Sequence, residues 1–262
     1  MNFPKQVTAL QVVAIIVNTT IGVSVLSLPR IASEKVNTGG FLVTLMGLTI
    51  ALVGVLITAF LGTRFPKQTL IEYSSSLIGK PLSSMFGMLL VVYFIMLVGL
   101  VAREFGEVMN HSLLEETPIS VTIISMITVI AITVRNSITT FGHIQFYYFP
   151  FIVVPILVMV LLSLTKMEIV HLKPFLGHNA SLSNFVQGTF TVVGLPFIQI
   201  GIFILTIIIP FMQSAKRAIV GSVFGVLIYS VTILFAVGVT MAVFGSEEMD
   251  KSLWPMFVLA RM

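Results

Sequence analysis

The chain contains no cysteine. Disulfides, thiolate metal sites and cysteine nucleophiles are excluded by that absence. Charge is the next scarcity. Only 9% of the 262 residues are Asp, Glu, Lys or Arg, whereas 57% are hydrophobic, and the mean hydropathy is +1.09. A soluble domain of this length cannot hide so much apolar surface, and no charged block long enough for a separate soluble domain interrupts it. The net charge of +4 comes from basic residues scattered over separate loops, not from a patch that would bind nucleic acid. His111, His143, His171 and His178 stand near the ends of apolar stretches without metal-ligand spacing, so neither a metal nor any other cofactor is expected. No phosphate-binding loop or nucleophile–base pair appears, and the chain does not read as an enzyme.

What is present is a series of long uncharged stretches. They run over 6–29, 39–63, 81–102, 117–134, 144–165, 179–215 and 218–246. A bilayer core needs about 20 apolar residues per helix. The expected class is therefore an all-α polytopic membrane protein in a single integral membrane domain, 1–262. Its expected spans are about 7–30, 39–63, 82–108, 118–135, 144–165, 184–212 and 217–245, with a partial span at 252–262. A cytoplasmic N-terminus places seven Lys and Arg in the inner loops against six outside, with nine of the ten acids outside; the basic residues follow the positive-inside sense. The first apolar run exceeds a signal-peptide core and lacks a cleavage site, so it is expected to be a retained span. Leu70-Ile71-Glu72-Tyr73, closed by Gly79-Lys80-Pro81, fits either a short interfacial helix or a plain loop.

Two stretches are ill suited to simple helices. The one over 179–215 has 37 uncharged residues, about 55 Å as one helix against a core of about 30 Å. Gly194-Leu195-Pro196, with Gly201 beyond, offers a break: Pro196 removes a backbone donor and Gly194 tolerates unusual dihedrals. The first span carries Asn18, Thr19, Thr20 and Ser24 around Gly22, a polar cluster near mid-membrane that needs partners. For either span alone, a kinked helix whose hydroxyls bond their own backbone is the plain alternative. Together, and oppositely oriented because five crossings separate them, they match the broken helices that flank a midplane site in secondary transporters. Freed amides there suit an anionic group and freed carbonyls a cation. An amino acid carries both. The expected ligand-binding residues are Asn18, Thr19, Thr20, Gly22, Ser24, Gly194, Pro196 and Gln199, with Tyr93 either packing on a neighbour or facing the ligand. Arg103 and Glu107, four apart, form either an interfacial ion pair or a gate over the outer vestibule. No span has Lys, Asp or Glu at its centre, which argues against classical proton coupling.

Several motifs in order resemble the B-subunit family of spore germinant receptors, the endospore germination permeases of the amino acid–polyamine–organocation (APC) transporter superfamily. They are Gln11 through Ile21-Gly22 to Leu28-Pro29, then Leu70-Ile71-Glu72-Tyr73 with Ile78-Gly79-Lys80. Arg103-Glu104-Phe105 with Glu107, Leu114-Glu115-Glu116-Thr117-Pro118, Pro174 and Leu253-Trp254-Pro255 follow. The resemblance implies an inverted-repeat fold of ten spans with spans 1 and 6 unwound around the ligand. It also implies a bundle of spans 1, 2, 6 and 7 that moves against a scaffold. This chain would supply spans 1–7 and the first turns of an eighth, and so looks truncated. The implied role is binding of a small germinant, with an amino acid favoured. The implied location is the spore inner membrane, beside an A subunit and a C-subunit lipoprotein. An APC amino acid transporter and an inactive truncated copy are the alternatives. One departure stands out: the family often has Pro-Phe-Gly-Glu after the span 6 break, and here the residues are Pro196-Phe197-Ile198-Gln199, so the membrane-embedded acid is replaced by an amide that cannot titrate.

Overall fold

A computed structural model describes residues 6–22, 24–177, 180–212 and 214–262. His178 lies outside the described residues, as do the side chains of Ser24, Glu247 and Asp250. Among the described residues the fold is all-α, and the one isolated bridge joins Val7 to Met212.

The chain begins with α1 (Ala9–Ile21) and α2 (Ser24–Ser33), which form one span bent by 57°. Thr8 and Gln11 start α1 as a reciprocal cap: the Thr8 amide donates to Oε1 of Gln11 at 2.8 Å and the Gln11 amide to Oγ1 of Thr8. Next come α3 (Gly40–Arg64), the short α4 (Leu70–Ile78) and α5 (Lys80–Ser112). Thr69 and Glu72 cap α4 in the same way, so the 64–80 segment contains a helix rather than a plain loop. Gly79, at φ 83°, turns the chain from α4 into α5. Then follow α6 (Ile119–Thr133) and α7 (Ile138–Ser163), which holds Pro150 and Pro155. The second broken span is α8 (Leu182–Val193) with α9 (Pro196–Ile208), bent by 54°. Last are α10 (Ala215–Lys251), kinked at Gly245, and α11 (Pro255–Arg261).

Among the described residues four helices are long and apolar enough to cross a membrane, and the two bent pairs raise that to six. The stretch expected to span over 118–135 is a 15-residue helix, about 22 Å long and short of the core thickness of about 30 Å. Pro118 opens it, and Arg135 follows where the helix gives way to a turn.

Burial is uneven and locates the core. Half or more (56%) of the apolar window of α10 is buried, against 11% for α5. Val12, Ile15, Ile16, Val17 and Ile21 of α1 are fully buried, because α1 is wrapped by α7, α9 and α10. Gly221 and Gly225 let α1 lie close on α10: a β-carbon at Gly221 would stand 2.8 Å from the Ala9 carbonyl, and one at Gly225 would stand 3.0 Å from Cβ of Ile16. Such small residues four apart drive helix contact where lipid supplies no hydrophobic force. The first broken span thus packs against α3, α7, α8, α9 and α10, α3 bridges the second broken span and α10, and α5 and α6 stand to the side.

Candidate functional site

The two broken spans meet half by half. The N-terminal half of the first, α1, runs along α9, while its C-terminal half, α2, runs along α8. The breaks therefore face each other. Gly201, in the second turn of α9, lies against Thr20, in the last turn of α1: a β-carbon there would be 2.9 Å from Oγ1 of Thr20. The C-terminal ends of α1 and α8 and the N-terminal ends of α2 and α9 converge here, with partial negative and positive charge respectively.

At the first break Gly22 takes φ 25°, ψ −140°, a conformation that L side chains rarely adopt. Its amide donates to the Asn18 carbonyl at 3.3 Å. The Thr19 and Thr20 hydroxyls donate to the carbonyls of Ile15 and Ile16, four residues back. Those donors thus serve their own helix, as the plain alternative expected. Asn18 reaches across instead. Its amide donates to both the backbone carbonyl and the Oε1 of Gln145 on α7, at 2.7 and 2.8 Å. Its Oδ1 is buried and accepts no hydrogen bond from the described residues, an arrangement that leaves a strong acceptor at the break.

The second break works differently from expectation. Gly194 is helical (φ −71°, ψ −9°) and needs no unusual dihedral. Leu195 leaves the helix, at ψ 137°, because the residue before a proline is pushed out of the α region. Pro196 then opens α9, where its missing donor costs nothing. Gln199 closes the gap: its Nε2 donates to the Val193 carbonyl freed by the break, at 2.8 Å. The amide in place of the family's acid thus serves here as a donor.

Tyr93 packs rather than standing alone. Its ring lies 5.8 Å from Phe94 and 6.5 Å from Phe203 of α9, edge to face. It ties α5 to α9, the C-terminal half of the second broken span.

Arg103 and Glu107 pair at 2.6 Å within α5, both substantially exposed. That bond joins no two elements. The bond that does is from Ser27 of α2 to Oε1 of Glu104, at 2.8 Å. Both sets line one cavity of about 420 Å³, together with Arg30, Pro196 and Trp254. The cavity therefore reaches from the charged end of α5 to the second break. Arg30 and Arg103 supply cationic groups there, Glu104 and Glu107 anionic ones. Ser27 and Gln145 were not singled out in the sequence, and Glu104 only as part of a motif, since only tertiary contact gives them partners. No group of acids and histidines among the described residues could hold a metal ion.

Comparison with known proteins decides the family. Residues 6–262 match the Spore_permease family, described as spore germination protein. The chain belongs to the spore germination permease family. It is 27% identical over 262 residues to spore germination protein YndE of Bacillus subtilis (strain 168), covering 98% of this chain and 70% of that protein. It is 27% identical over 240 residues to spore germination protein B2 of the same strain, covering 89% and 63%. To spore germination protein A2 it is 24% identical over 257 residues, covering 96% and 68%. The chain thus spans between 63% and 70% of the length of these relatives. Together with its apolar helices, membership of this permease family makes it a multi-pass membrane protein.

Proposed function

We propose that this protein is the membrane subunit of a spore germinant receptor, which binds a small zwitterionic germinant, an amino acid, between its two broken spans. The observation that carries this reading is the pairing of the breaks, fixed by the contact between Thr20 and Gly201. Two helix ends of each sign converge there, and the free Oδ1 of Asn18 adds an acceptor for the ligand ammonium. The cavity that reaches the second break is the entry route, with Arg30 and Arg103 attracting the carboxylate. The names of the relatives support the germination role.

Signalling follows from differential affinity. A ligand that binds one arrangement of the bundle better than another shifts the population toward it. The bond between Ser27 and Glu104 ties the C-terminal half of span 1 to α5 and is the contact that changes with closure. The receiving partners are the A and C receptor subunits, in the spore inner membrane, with the N-terminus of this chain in the cytoplasm. The role is one of binding rather than catalysis.

The test is germination of spores lacking this gene, against a panel of amino acids, sugars and nucleosides. Loss of response to an amino acid, restored by the 262-residue chain, supports the reading. An unaltered response to every germinant, in a strain without redundant receptors, overturns it.

A further inference from the structure

A second site lies on the outer flank of the bundle, away from the breaks. A groove runs between the start of α3 and the outer half of α10, walled by the segment from Leu164 to Phe175. It has two chambers that share Thr38. The deeper one, about 470 Å³, is apolar and lined by Phe41, Leu172, Phe175, Phe235 and Gly238 among others. The outer one, about 420 Å³, contains His171, Lys173, Ser246 and Glu248. The wall alternates: Leu172 lines the deep chamber, and its neighbours His171 and Lys173 line the outer one. Along α10 the same change occurs two turns further on, from Phe235 and Gly238 to Ser246 and Glu248.

The walls are held in place. Thr38 donates its hydroxyl to the Pro174 carbonyl. The Glu168 amide donates to the Ala242 carbonyl at 2.9 Å, and Nδ1 of His171 meets the same carbonyl at 3.1 Å. The groove is thus preformed, as ligand sites generally are. Its floor at Gly238 is open: a β-carbon there would make only ordinary contacts with the Phe41 ring, 3.5 Å away.

The charges in the outer chamber identify the occupant. No described residue pairs with the ammonium of Lys173 or the carboxylate of Glu248; His171 is the partner of Glu168, at 3.6 Å. An unpaired cation and an unpaired anion, set beside an apolar groove whose Phe175 and Phe235 are exposed, call for an amphipath with a zwitterionic head. We infer that this groove binds one phospholipid bearing a primary amine, phosphatidylethanolamine in type. Its phosphate lies on Lys173, its ammonium on Glu248 and one acyl chain in the groove over Gly238. A purely anionic lipid would leave Glu248 facing like charge, and a quaternary ammonium could donate no hydrogen bond to it.

The experiment is native mass spectrometry of the full chain in detergent, with phosphatidylethanolamine, phosphatidylcholine and phosphatidylglycerol added at equal concentration. The protein is expected to retain phosphatidylethanolamine in preference to the others. Lys173→Gln and Glu248→Gln, both on the exposed rim, should each weaken that retention roughly fivefold, the order expected on losing an exposed charge-assisted hydrogen bond. Gly238→Leu should fill the deep chamber and abolish retention of all three lipids, while Gly238→Ala leaves it unchanged. Equal retention of the three lipids by the unsubstituted chain overturns the headgroup assignment. Full retention by Gly238→Leu overturns the site.

Discussion

A β-carbon placed on Gly201 would stand 2.9 Å from Oγ1 of Thr20. Thr20 is buried and already bonded to its own helix, so it has little room to turn. Gly201→Ala must then push α9 away from α1, at the roughly 1–3 kcal/mol typical of overpacking. Thr20→Ala in the same chain should recover part of that loss, because contacting residues are not additive. Thermal unfolding of the two single variants and the double variant in detergent measures the coupling. Strict additivity would remove the contact from the account of the site.

Gln199 holds the second break by donating to the Val193 carbonyl. Gln199→Leu leaves that carbonyl bare and should cost about 1–3 kcal/mol. Gln199→Glu is the more informative change. A carboxylate cannot donate, whereas a carboxylic acid can. The variant should therefore resemble the unsubstituted chain at low pH and weaken as pH rises through the titration of the new acid. Unfolding followed across pH reads this directly, and a pH-independent variant would contradict the role.

Ser27 donates to Glu104 in the wall of the cavity that reaches the second break. Ser27→Ala and Glu104→Ala should each disturb the germination dose–response, and the double variant should do no more than the worse single one. Glu104→Gln keeps an acceptor and should be the mildest of the four. Arg103→Ala, which breaks a pair within one helix, should cost little stability, since exposed pairs are worth about 0–1 kcal/mol. Independent effects at Ser27 and Glu104 would show that their bond is incidental.

At the short helix α4, hydrogen bonds from the Thr69 amide and hydroxyl hold the carboxyl of Glu72 below its ordinary value. A depressed carboxyl stabilises the fold above its unfolded titration and loses that contribution as pH falls through the folded one. Protection of the Thr69 amide, taken relative to its intrinsic exchange rate at each pH, should therefore fall on acidification in a window below the usual Glu range. Glu72→Gln, which keeps a capping box, should remove that pH dependence. An unchanged protection factor in the parent chain across that window would rule the cap out.

The two breaks were legible because their causes are local. Pro196 forces Leu195 out of the helix by itself, and Gly22 supplies a dihedral that its neighbours cannot. Gly194 misled for the same reason: once proline has displaced Leu195, the glycine before it has nothing left to do and stays helical. What composition could not give is partnership over distance. Asn18 and Gln145 are 127 positions apart, and nothing in either neighbourhood says that one reaches the other. Tyr93 was left open between packing and ligand, and its contact with the Phe203 ring, 110 positions on, is another partnership the sequence does not carry. The short α6 shows the limit of counting uncharged residues, since an 18-residue stretch yields a 15-residue helix once Pro118 and the turn before Arg135 have taken its ends.

The most direct test of a germinant bound between the breaks is Gly22→Leu. Gly22 sits at φ 25°, where a leucine is strained whatever space it finds, and its bulk would obstruct the approach of a ligand to the opened backbone. The measurement is the germinant dose–response of spores carrying this variant, beside its level in the membrane. The predicted result is a chain inserted at the normal level that no longer answers the germinant. An unchanged dose–response at normal membrane level would contradict the site.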